Sequence, residues 1–148
     1  MPDAATTTTP AGGAVSELRL VLTVDDHARA LAFYRDRLGL TELEAYEERG
    51  GHVTILDAGR ATLEINDESY AAFIDEVEVG RRVPGRVRVA FQVADSDAAT
   101  QDLVEAGARL VALPTRTPWG SRNARLRDPD GIQLTLFTEL EASEDEKA

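Results

Sequence analysis

Leu18-Arg19-Leu20-Val21-Leu22-Thr23-Val24 and, 69 residues further on, Val87-Arg88-Val89-Ala90-Phe91-Gln92-Val93 decide how this chain folds. Each places an apolar residue at every second position, the two-residue period of a strand with one buried face. Each is followed at once by residues that cap helices, Asp25-Asp26 in one case and Asp95-Ser96 in the other. After the first cap, Ala28, Leu31, Ala32, Tyr34, Arg35 and Leu38 recur at helical spacing until Gly39, a left-handed C-cap. After the second cap a helix runs through Leu103 to Ala106, and Gly107 ends it.

Three strand-like runs follow each helix. In the first half they cover 41–47, 52–58 and 61–66, with turns at Gly50-Gly51 and Gly59. In the second half they cover 108–113, 121–127 and 132–137, the last two joined by the turn Asp128-Pro129-Asp130-Gly131. Val24 maps onto Val93, Gly39 onto Gly107 and Glu64 onto Thr135 at shifts of 69, 68 and 71, so the chain is an internal duplication. The expected class is α+β, built from two tandem βαβββ units. Residues 1–16, mostly Ala, Thr, Pro and Gly, read as a disordered leader, and 141–148 as an acidic tail. Between them lies one domain, 17–140. Its first unit is 17–67, its linker 68–85 and its second unit 86–140. Within the linker, Ala71, Ala72, Ile74 and Val77 form a weak helical stripe before the Pro84-Gly85 turn.

Composition narrows the chemistry. The 148 residues contain no cysteine and two histidines, which excludes thiolate sites, cysteine nucleophiles and any three-imidazole centre. A net charge of −11 opposes binding to nucleic acid. No apolar run approaches the roughly 20 residues of a membrane-spanning helix, and the N-terminus lacks a secretory pattern, so a cytoplasmic protein away from membranes is expected. The charge is uneven: residues 41–79 sum to −9 and residues 80–127 to +5. Opposite signs suggest that the halves face each other, within one chain or across a dimer. No Gly-x-Ser-x-Gly elbow or phosphate-binding glycine loop is present. The acidic pairs Glu47-Glu48 and Asp75-Glu76 read as solvated surface.

Each helix covers one face of its strands, and the fully apolar residues belong there. The opposite face collects Arg19, Val21 and Thr23; Thr62, Glu64 and Asn66; Arg88, Ala90 and Gln92; and Gln133, Thr135 and Phe137. Such a mixture is too polar for a dry core and too apolar for bulk surface. It reads as the wall of a ligand cavity.

The paired βαβββ units, the stretch Ala32-Phe33-Tyr34-Arg35-Asp36-Arg37-Leu38-Gly39-Leu40 and the Asp128-Pro129-Asp130-Gly131 turn together resemble the vicinal oxygen chelate superfamily. That group includes glyoxalase I, bleomycin-resistance and fosfomycin-resistance proteins and extradiol dioxygenases. The resemblance implies curved mixed sheets around an open cavity, commonly completed by a homodimer. Metal-dependent members place His on the first strand of a unit and Glu on the last. Here the histidine positions fall on Arg19 and Arg88, and the glutamate positions on Glu64 and Thr135. A guanidinium does not ligate a divalent cation, so neither a metal nor any other cofactor is expected. His27 is read as solvent-facing, and His52 begins a strand at a position the family does not use for metal.

In place of the ion, Glu64 between Arg19 and Arg88 would form a charge-assisted triad. The triad either closes the cavity floor or leaves an arginine free for a carboxylate, enolate or phenolate and Glu64 free as a catalytic base. Trp119, in Thr117-Pro118-Trp119-Gly120-Ser121, either stacks on a planar ligand or plugs the sheet edge, and Phe137 and Thr135 complete the expected binding wall. The resulting expectation is a metal-free protein of the bleomycin-resistance type that binds a small organic molecule, such as an antibiotic, in a homodimer cavity. The alternative is an enzyme: a glyoxalase-like lyase, an isomerase or a dioxygenase.

Overall fold

The computed structural model describes residues 10–141. The first unit comprises β1 (Glu17–Val24), α1 (His27–Leu31) with a π-helical continuation over Ala32–Arg37, β2 (Thr41–Glu48), β3 (Gly51–Asp57) and β4 (Thr62–Asp67). Helix α2 (Glu68–Glu78) connects it to the second unit, made of β5 (Val87–Gln92), α3 (Ser96–Glu105), β6 (Arg109–Arg116), β7 (Ser121–Arg127) and β8 (Gln133–Glu139). The fold is α+β, as the alternation and the duplication require.

The eight strands form one mixed, curved sheet in the order β2-β3-β4-β1-β5-β8-β7-β6. Within each unit the first strand runs parallel to the last, β1 with β4 and β5 with β8. The two first strands then pair antiparallel, with Val21 opposite Arg88 and Arg19 opposite Ala90. The units therefore meet within a single chain. The oppositely charged stretches do meet within the chain: Arg125 pairs with Asp75 and Glu78, Arg82 with Asp75 and Glu68, and Arg88 approaches Glu64, while the acidic strand β2 and strand β6 lie at opposite ends of the sheet.

The helix-covered face is packed as the alternation predicts. Leu20, Leu22 and Val24 join Leu31, Leu56, Leu63 and Ile65 under α1, while Val93, Ala99, Ala124, Leu126 and Leu136 pack under α3. Asp26 and Asp95 cap the two helices through the N–H groups of Arg29 and Ala98. The first helix departs from the expected α-periodicity beyond Leu31. The Leu38 N–H donates to the Phe33 carbonyl, five residues back, and the widened turn leaves Phe33 and Leu38 exposed. Gly39 ends it at φ +90°, the left-handed cap expected.

Three other expectations change. The described part of the leader is held against the second unit: Gly12 accepts from the Asp95 N–H, and the Ser16 N–H donates to Gln92. Residues 1–9 and 142–148 lie outside the described residues. His27 turns inward, its Nε2 3.0 Å from the buried Thr54 hydroxyl and its ring stacked on His52. Asp75 is buried rather than solvated, because it meets the guanidiniums of Arg82 and Arg125.

The two ends of the sheet differ. Strand β6 carries Pro114 and two register irregularities, between Leu110 and Ala112 and between Ala112 and Thr115. Strand β2 is exposed along its whole length and carries Glu42, Glu44, Glu47 and Glu48.

Candidate functional site

The sheet face away from α1 and α3 is concave and encloses a cavity of about 130 Å³. Alternation places its walls: Arg19 and Val21 from β1, Glu64 from β4, Arg88 and Ala90 from β5, Thr135 and Phe137 from β8. Val21, Ala90 and Phe137 pack together as an apolar floor at the seam between the units. Helix α2 crosses the open side and adds Tyr70, Ile74 and Glu78. Its N-terminus is fixed by Asp67, which accepts from the Tyr70 N–H, and by Gly51, where a Cβ atom would lie 2.3 Å from the Tyr70 nitrogen. Only glycine permits that approach of β3 to the helix.

All six residues singled out for binding line this one cavity. Arg19 and Arg88 approach Glu64 from opposite units, at 3.7 and 3.9 Å. Both separations exceed a hydrogen bond. Glu64 accepts a bond from the Asn66 amide at 3.3 Å. Arg19 is held instead by Glu17 at 2.9 Å and by the Thr62 hydroxyl at 3.0 Å, with its guanidinium 5.2 Å from the centre of the Phe137 ring. Arg88 donates to the Thr135 hydroxyl at 2.5 Å. Burial, with the charge of Arg125 nearby, pushes the Arg88 guanidinium below its ordinary range. Trp119 sits at the mouth, 6.0 Å from the Phe73 ring and partly open to solvent.

Behind Thr135 lies a fully buried ion network. Glu78 accepts from Arg125 at 2.9 Å, from the Asn123 amide at 2.9 Å and from the Thr135 hydroxyl at 3.4 Å. Arg125, 1% exposed, also meets Asp75 at 2.9 Å and Gln133 at 2.9 Å. At the mouth, partial burial raises the Glu139 carboxyl above its usual range; Glu44 and Glu17 add to the shift, and Arg19 opposes it. The Tyr70 phenol is pushed up to about 12 by burial and by the charges of Glu64 and Glu48.

The description "Glyoxalase/Bleomycin resistance protein/Dioxygenase superfamily" matches the sequence over residues 18–136. The chain belongs to this superfamily. Among its relatives, the uncharacterized protein YraH of Bacillus subtilis (strain 168) is 29% identical over 127 residues, 83% of this chain and 98% of YraH. The putative glyoxylase CFP32 of Mycobacterium bovis is 32% identical over 116 residues; these span 78% of this chain but 41% of CFP32. Methylmalonyl-CoA epimerase from Mycobacterium tuberculosis shares the fold with a TM-score of 0.66 at 23% identity, covering 93% of this chain and 95% of the epimerase.

Metal-dependent members of the superfamily hold a divalent ion where these four strand positions converge. The residues present do not fit one. Two guanidiniums flank the single carboxylate, and the fourth position is a threonine already bonded to Arg88. Among the described residues, no group of three or more His, Cys, Asp or Glu side chains is arranged to hold a metal ion. His52 cannot complete a site with Glu64: it pairs with Asp67 at 3.0 Å, on the sheet face that carries the buried Thr54 and Leu56.

The sequence reading did not find Tyr70, Glu78, Asn123 and Arg125. Tyr70 and Glu78 sit on α2, whose weak apolar stripe read as a linker. Asn123 and Arg125 alternate on β7 in phase with the cavity face, a signal that the period-2 pattern does carry.

Proposed function

We propose that this chain binds a small, planar organic molecule in the cavity at the seam of its two units and does so without a metal. The arrangement that carries this reading is the convergence of Arg19 and Arg88 on Glu64, where metal-dependent relatives place an ion. Polar groups with unused hydrogen-bonding capacity, set among Val21, Phe137, Tyr70 and Trp119, supply orientation inside a chamber of mixed polar and apolar walls. The volume suits a single ring: a lined cavity of about 150 Å³ accommodates benzene. Carboxylates at the mouth, Glu44 and Glu139, raise the local concentration of basic compounds. Antibiotics with a flat aromatic portion are therefore the first class to test. We place the protein in the cytoplasm, as a homodimer.

The test uses Trp119, the chain's one tryptophan. Titration with aromatic and cationic compounds is expected to give saturable fluorescence changes, in protein whose measured metal content is well below one ion per chain. A stoichiometric divalent ion lost on Glu64→Gln would overturn the reading. A catalytic role for Glu64 is the second reading, favoured by its two guanidiniums standing beyond hydrogen-bond distance. A buried carboxylate with spare lone pairs beside two cations is placed to take a proton from a carbon acid whose oxyanion the cations then hold.

A further inference from the structure

Beside its apolar floor the cavity presents a donor and an acceptor side by side, neither used up by the protein. Arg88 has five N–H donors, and its side chain makes one hydrogen bond, to Thr135. Glu64 has two acceptor oxygens and accepts one bond, from Asn66. The two charges stand 3.9 Å apart, close enough to neutralise each other and too far to bond, while the other cation near Glu64, Arg19 at 3.7 Å, is paired with Glu17. Tyr70, 6% exposed, adds a hydroxyl that makes no hydrogen bond among the described residues. Burial makes this pairing demanding. A ligand anion placed here would repel Glu64 and a ligand cation would repel Arg88, each without the solvent that screens such contacts elsewhere.

A neutral group with an N–H beside a C=O meets both requirements at once. Its N–H donates to Glu64, and its carbonyl accepts from Arg88, with Tyr70 available to the second lone pair. We propose that the polar cluster of Glu64, Arg88 and Tyr70 recognises a primary amide, lactam or ureide carried on a planar ring. The inference rests on the cavity being a ligand chamber and names the functional group bound at this cluster.

Benzamide and benzoate, equal in size and differing at that group, test it. Dissociation constants are read from Trp119 fluorescence and checked by ligand-observed NMR. Wild-type protein is expected to bind benzamide at least about tenfold more tightly than benzoate, because each charge-assisted hydrogen bond lost or repelled is worth that much or more. Glu64→Gln should erase most of the preference. The control Glu139→Gln removes an equal charge at the mouth and should leave the preference in place, which separates the cluster from the overall field of an acidic protein. Arg88→Met should weaken benzamide by about tenfold or more; Arg88→Lys, which keeps the charge but loses the planar donor fork, should weaken it as well. Circular dichroism establishes that each variant is folded.

Benzoate binding as tightly as benzamide, or equal effects of Glu64→Gln and Glu139→Gln, would refute the amide assignment while leaving the chamber intact. Failure of both compounds to bind would overturn the chamber itself and this inference with it.

Discussion

The two units carry related sequences on the same scaffold and treat their cavity faces differently. In the first unit, β3 and β4 set Ile55 opposite Glu64; at the matching register of the second, β7 and β8 set Arg125 opposite Thr135. The first unit thus keeps a carboxylate on its last strand and an apolar neighbour. The second has a threonine there and a buried cation opposite it, and it satisfies that cation from outside the duplicated pattern, through Asp75 and Glu78 of α2. The difference gives the halves separate tasks. The second unit carries an anchored wall at Arg125, whose guanidinium is engaged by Asp75, Glu78 and Gln133. The first contributes the loosely held Glu64, free to interact with whatever enters.

The strongest way to break this contrast is to remove the anchor. Arg125→Met strands Glu78 in a dry interior and leaves Asp75 with Arg82 as its one cation, and a loss of about 3–5 kcal/mol in urea or thermal unfolding is expected. Glu64→Gln, whose carboxylate makes no close ion pair, should cost clearly less in the same measurement. Equal losses would show that the units are anchored alike.

The helix-covered faces supply the matching control. Leu56 and Leu126, 70 residues apart, are both 0% exposed in equivalent places. Leu56→Ala and Leu126→Ala should each cost about 2–5 kcal/mol and should agree closely, since the duplication is intact on that side. A large disagreement would mean that the asymmetry runs through the whole fold rather than along the cavity.

Alkali sharpens the view of α2. The Tyr70 phenol lies at about 12 in the folded protein against 10.0 for a free side chain, so the folded state holds this proton more tightly. Its contribution is complete below pH 10 and is lost as pH rises through 12. Tyr70→Phe should therefore flatten the alkaline end of the stability profile. The smallest effect expected is at the surface. Arg122 pairs with Asp97 at 2.7 Å, with both side chains well exposed, and Arg122→Ala should change stability by about 0.2–1 kcal/mol, less in high salt.

Strand alternation, the repeat spacing and the turn at Asp128-Pro129-Asp130-Gly131 carry the fold, because each reports on backbone periodicity within a few residues. The facing of Arg19, Glu64, Arg88, Thr135 and Phe137 follows from the same period. The network around Glu78 does not, since its partner Arg125 is 47 residues away and nothing local marks an acid on α2 as buried. The π-helical segment was hidden for a related reason: Leu31, Tyr34 and Leu38 fit an α-helical stripe, and only the hydrogen bond from the Leu38 N–H to the Phe33 carbonyl reveals the wider turn. His27 looked solvent-facing because its neighbour in the fold, Thr54, sits on another strand.

The two borders of the sheet resist unwanted strand addition by unlike means. At β6 the obstacle is geometric: Pro114 offers no N–H, and two kinks bend the ladder out of line. At β2 it is mutual repulsion among Glu42, Glu44, Glu47 and Glu48. Concentrated electrolyte weakens the second safeguard and leaves the first untouched. Edge-to-edge pairing in brine would thus join β2 of one chain to β2 of another and close at two chains, because continued growth needs the border at β6, which stays barred.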